Sequence, residues 1–272
     1  MKSKVVGYLP VKRNLHHVYE STLVGAVLMT ALSLGGLLYP SIFYPTYELL
    51  QSFIANDVVN LVIGLPIMMG SMWLTRHGKL IGLLCWPGAL LYVLYTYIAY
   101  MVGIPYSVLT FVYLVLVLLS IYGIFDLLNG IDKNAVQEQL SGSVPARTAG
   151  GILMIFGIMF VFRAIGMIIE TSTSQTTHPS SEIGVMIADI VLSIFFITGG
   201  GLLLRRSSLG YVSGLGFLFV ASMLFIGLIM VLLLQPVLMG IPFILVDVLV
   251  VFIMGLVCFI PFGLFVRKVA VI

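Results

Sequence analysis

Charge is what this chain has least of. Of its 272 residues only 8% are Asp, Glu, Lys or Arg, while 61% are hydrophobic. Soluble domains carry roughly a quarter charged residues, so a soluble globular protein is excluded by composition. Histidine (four) and cysteine (two) are equally sparse, with no H-E-x-x-H and no Cys/His cluster. The known zinc patterns are therefore absent and no metal site is expected. Cys85 and Cys258 both fall inside apolar runs, which removes a disulfide framework as the organising principle. There is no P-loop, no dinucleotide fingerprint and no G-x-S-x-G, so nothing supports ATP- or NAD-driven work within this chain. No apolar run has an interior Lys, so a Schiff-base pigment is excluded and no cofactor is expected. The few basic residues lie on short connections, which argues against a nucleic-acid partner.

What the chain does have is long apolar runs. A helix needs about 20 residues to cross about 30 Å of hydrocarbon. Eight stretches meet that length, at 21–39, 55–75, 80–101, 106–128, 148–170, 182–204, 209–234 and 241–266. The fold expected is an all-α polytopic transmembrane helix bundle of about eight helices. Residues 129–147 read as a solvated cytoplasmic linker between two four-helix halves, 1–128 and 148–272. Gly103-Ile104-Pro105-Tyr106 and Gly240-Ile241-Pro242-Phe243 would correspond under a parallel 4+4 internal duplication, as would Arg76 with Arg205 and Asn60 with Asp189. Chance matching of Gly/Pro turns is the open alternative.

Orientation follows from the basic residues. Lys2, Lys4, Lys12, Arg13, Arg76, Lys79, Lys133, Arg147, Arg205, Arg206, Arg267 and Lys268 fall on one side, twelve of the thirteen in the chain. Both termini are therefore expected to be cytoplasmic, in a prokaryotic plasma membrane. The first apolar run is too long for the core of a cleavable signal peptide.

The thirteenth basic residue is Arg163, inside the fifth apolar run. A charged side chain at membrane depth costs about 2.5 kcal/mol or more on insertion scales, so a partner or a hydrated pocket is expected. Counting from the expected outer ends puts Arg163, Asp189 and Asp247 at a common depth of roughly 9–10 Å. Asn60 falls in the same layer, with Tyr95, Thr110 and Tyr113 near it, and Glu170 shares a helix face with Arg163 seven residues away. In one reading Arg163 pairs with Asp189 or Asp247 and holds helices together. In the other the layer binds a polar or charged solute, or moves a proton.

The remaining features have plainer readings. Glu48, Asp57 and Glu182 read as solvated residues at the outer interface, and Tyr92, Tyr95, Tyr97 and Tyr100 as an interfacial aromatic belt. His77 and His178 read as solitary loop residues, and Gly210 with Gly214 as a close-packing pair. The segment Trp86-Pro87-Gly88-Ala89-Leu90-Leu91-Tyr92-Val93-Leu94-Tyr95-Thr96-Tyr97, with the helix after it, resembles stretches in uncharacterised prokaryotic multi-pass membrane proteins. That resemblance implies no activity.

The functional expectation is a carrier for a small solute, ion or proton. Its outward-facing site would be at Arg163, Asp189 and Asp247, with Asn60, Glu170, Thr110, Tyr113 and Tyr95 around it. The alternatives are a non-catalytic membrane sensor or subunit, and an intramembrane enzyme acting on lipid headgroups. Expected partners are membrane lipids, a small polar or charged solute, and another membrane protein or a second copy of the chain.

Overall fold

A computed structural model describes residues 9–174 and 177–270. Eight helices among them are long and apolar enough to cross a membrane. They are α1 (His16–Leu38), a second span made of α3 (Tyr47–Val59), a π-helical turn (Asn60–Gly64) and α4 (Leu65–Arg76), then α5 (Leu80–Gly103), α6 (Val108–Gly130), α8 (Ala146–Ser174), α9 (Ser180–Leu204), α10 (Ser208–Met239) and α11 (Leu245–Val269). Two short helices complete the set, α2 (Pro40–Phe43) and α7 (Lys133–Leu140). This is the all-α multi-pass bundle that the apolar runs require.

Short connections make successive spans alternate in direction. Apart from Arg163, the described basic residues consequently gather at one end, called here the basic end. Lys2 and Lys4 lie outside the described residues. The opposite, distal end carries the turns at 104–107 and 240–244.

Two boundaries differ from the sequence expectation in ways that matter for the site. The second span begins eight residues earlier, at Tyr47, with Thr46 accepting from the Leu49 N–H as an N-cap. Its first turns are polar (Glu48, Gln51, Ser52), and an apolar window passes over such residues. The last span begins four residues later, at Leu245, because residues 241–244, with Pro242, are not helical. The π turn has a local cause. Pro66 has no N–H to donate, and widening the helix just before it re-routes the ladder so that the Leu65 N–H bonds Asn60 O.

α5 is the axis of the bundle, buried over 89% of its apolar stretch, while α8 and α11 reach only 22%. α4, α6, α9 and α10 pack around α5; α8 lies mainly on α9, and α11 mainly on α10. The α5–α10 crossing is close because a Cβ on Gly88 would collide with the Gly216 carbonyl. Gly210 lies equally close to the backbone of Leu202 on α9, as its pairing with Gly214 predicts. Trp86, fully buried, donates its indole N–H to Thr22 Oγ1 at 3.2 Å and ties α5 to α1.

The 129–147 segment is not merely a solvated linker. Asp132 caps α7, which buries Val136 and Leu140, and Gln137 donates to Arg206 O at 2.9 Å. Arg13 pairs with Asp126, and Lys12 N–H bonds Gly130 O at 2.7 Å, so the start of the described chain is fastened to the end of α6.

Candidate functional site

Helix α8 delivers Arg163 to α9, where its Nη1 donates to Asp189 Oδ2. Tyr95 on α5 donates its hydroxyl to the other carboxylate oxygen at 3.0 Å. The Asp189 side chain is 3% exposed, whereas that of Arg163 is 48% exposed. Each carboxylate oxygen thus has one donor, and the guanidinium keeps N–H donors not used in the pair.

This trio forms one wall of a cavity of about 610 Å³ between α3, α5, α8, α9, α10 and α11. Ser52, Asn56 and Thr96 add polar atoms, while Phe156, Phe160, Phe196 and Phe225 make much of the lining apolar. Pockets of about 300–1,000 Å³ with a few placed polar groups are the usual form of a small-molecule site. Met159, Leu228 and Met254 line the cavity and are also at least 41% exposed. Each lies in the middle of a spanning helix, far from either end.

The other residues expected in this layer go elsewhere. Asp247 is exposed in the first turn of α11 and has no hydrogen bond or ion pair among the described residues. The late start of α11 is the reason: Asp247 is two residues from the helix N-terminus instead of six, where a carboxylate is favourable without a partner. Thr110 is the third residue of α6 and belongs to a capping box with Ser107, accepting from the Ser107 N–H at 3.0 Å. Glu170 is exposed near the distal end, 3.9 Å from His178 Nε2. His178 is not solitary, since its Nδ1 lies 3.1 Å from Glu182. Asn60 is buried in the π turn, donating to Ser33 Oγ at 3.4 Å and accepting from Tyr92 at 3.1 Å.

A second carboxylate lies inside the bundle. Asp57, expected at the solvated interface, is 1% exposed. The early start of α3 places it ten residues into the span, about 15 Å along the helix. Tyr44 donates to its Oδ2 at 2.5 Å and Tyr100 lies 3.3 Å from its Oδ1. A Cβ on Gly36 would overlap Oδ2, so α1 closes over the group. Burial, with the Asp57 charge beside it, pushes the Tyr44 hydroxyl far above the ordinary tyrosine range and keeps its proton in place. Tyr113 is buried beside this group, not in the Arg163 layer, its ring 5.8 Å from that of Tyr100. The tyrosines of α5 are therefore no interfacial belt: Tyr92, Tyr97 and Tyr100 are buried, and Tyr92, Tyr95 and Tyr100 are hydrogen-bonded inside the bundle. Glu48 is likewise engaged, accepting from Ser181 on α9.

No protein family, no curated protein and no solved structure matches the chain.

Proposed function

We propose that the protein is a membrane carrier for a small amphipathic solute, bound in the cavity beside Arg163. The observation that carries this reading is the combination of a 610 Å³ apolar cavity with one polar wall, Arg163–Asp189–Tyr95. A ligand with an apolar body would lie against Phe156, Phe160 and Phe225. Its head group, anionic or hydrogen-bond accepting, would face the free guanidinium N–H donors. Exposed lining residues at mid-span support entry from the side, through the hydrocarbon, by a molecule that already partitions into the bilayer.

The test uses the purified full chain and a panel of amphiphiles with carboxylate, phosphate, hydroxyl and trimethylammonium heads on matched short alkyl chains. Thermal stabilisation by acidic or hydroxyl heads, lost in Arg163→Ala, together with flux of the same compound in proteoliposomes, is the expected result. Stabilisation without flux would reject carriage and favour a sensor. No stabilisation by any head group would reject the cavity as a binding site.

A further inference from the structure

Among the described residues, no cationic side chain pairs with Asp57, and its polar partners are tyrosine hydroxyls. The elements around it bring no counter-charge. α1 offers Ser33 and Gly36 there, and its ionisable residues, His16, His17, Tyr19 and Glu20, lie at the basic end, on the order of 24 Å away along the helix. α5 offers Tyr97 and Tyr100, and α6 offers Tyr113. On α9, Glu182 is held by His178 and Asp189 by Arg163. On α10 the titratable residue is Tyr211, near the basic end. Glu48, on the same helix as Asp57, is nine residues away and bonded to Ser181.

An ionised carboxylate so placed pays a large desolvation penalty with no opposite charge to offset it. The cage is nevertheless built to serve both protonation states. When Asp57 is ionised, Tyr44 and Tyr100 donate to its two oxygens. When it is protonated, the same Tyr44 contact can run in reverse, with the carboxyl O–H donating to the Tyr44 oxygen. Spare capacity is present as well: the hydroxyls of Tyr97 and Tyr113 are buried with no hydrogen-bond partner, and both rings pack against Tyr100 at 5.6 and 5.8 Å. Unsatisfied buried hydroxyls are unfavourable, and here they surround the group whose proton count can change.

We infer that Asp57 is a reversible proton-binding site within the bundle, distinct from the Arg163 cavity, with Tyr44 and Tyr100 as its hydrogen-bond partners and the unpaired hydroxyls of Tyr97 and Tyr113 close by. Binding adds one proton to the carboxylate, yielding the neutral acid, and no other bond changes. Tyr100 and Phe53 line the cavity and also border Asp57, so the two sites share a wall. The inference holds whatever the cavity binds.

Infrared difference spectroscopy of the purified full chain over a pH series tests it. A protonated-carboxyl carbonyl band that grows as pH falls is expected. It should be lost in Asp57→Asn and kept in Asp189→Asn, which removes a carboxylate paired with Arg163 on the cavity wall. Tyr44→Phe removes a donor to the ionised form and should raise the midpoint by about one pH unit, a tenfold gain in proton affinity. That variant carries the test if Asp57→Asn does not fold. A band that survives Asp57→Asn, or a midpoint unmoved in Tyr44→Phe, overturns the inference. So does a carboxylate that stays ionised throughout and whose bands move when sodium is replaced by a large organic cation, because the ligand would then be a metal cation.

Discussion

Asp57 and Asp189 are 1% and 2% exposed, yet the bundle treats them in opposite ways. Asp189 faces a guanidinium and lies on a cavity wall; Asp57 faces tyrosines and is sealed under α1. Their surroundings explain the difference. Arg163 comes from α8, a helix exposed over most of its length, so a long cationic side chain can reach the pair from the periphery without being fully buried itself. The space around Asp57 is enclosed by α1, α5 and α6, where an arginine would have to be fully desolvated. A tyrosine hydroxyl supplies a donor there without introducing a second charge.

The contrast can be broken most severely from the sealed side. Gly36→Leu drives a side chain into the Asp57–Tyr44 contact and is expected to lower stability by about 3 kcal/mol, measured by unfolding of the purified protein in detergent. The open cavity wall has no equivalent overlap. Arg163→Ala should cost about 2 kcal/mol by leaving Asp189 buried without its charged donor. Adding Asp189→Asn should recover about half of that loss, and a double-mutant cycle reads the coupling directly. Equal and additive losses would mean that the pair contributes nothing as a pair. Tyr95→Phe and Tyr100→Phe each remove one hydroxyl from a carboxylate and should each cost about 1 kcal/mol. Raising pH should increase the Tyr100→Phe loss, because Tyr100 serves the ionised form of a group that titrates. The smallest effect is expected at a surface carboxylate: Glu20→Gln, which loses contacts with exposed His16 and His17, should change stability by no more than about 0.5 kcal/mol.

The span count was readable because hydrocarbon thickness sets helix length, and every apolar run had to become one helix. The meeting of Arg163 with Asp189 was readable for a similar reason: consecutive antiparallel helices are neighbours, so equal depth implies contact. Asp247 shows where depth counting ends. Its height depended on a helix start that Pro242 displaced, and nothing in a single sequence states which face of the last span points inward. Asp57 was hidden by hydropathy itself, since a window tuned to apolar residues began the second span at residue 55 and so put Asp57 at the interface, two residues from its start. A signal for it did exist. Tyr92, Tyr97, Tyr100 and Tyr113 form an excess of hydroxyls in spans too apolar for water, and such groups need a buried partner.

The π turn at Asn60–Gly64 makes the second span longer by one residue than its path requires. Deleting Val62 would let the backbone close into an ordinary α-helix while the residues on either side keep nearly the same faces, because the wider turn had already absorbed the extra residue. Asp57 would then still face Tyr100, with no side chain of the cage altered. Single-residue deletions are ordinarily the most damaging lesions in a spanning helix. At this position one would instead be absorbed, separating the widened turn itself from the integrity of the span that carries it.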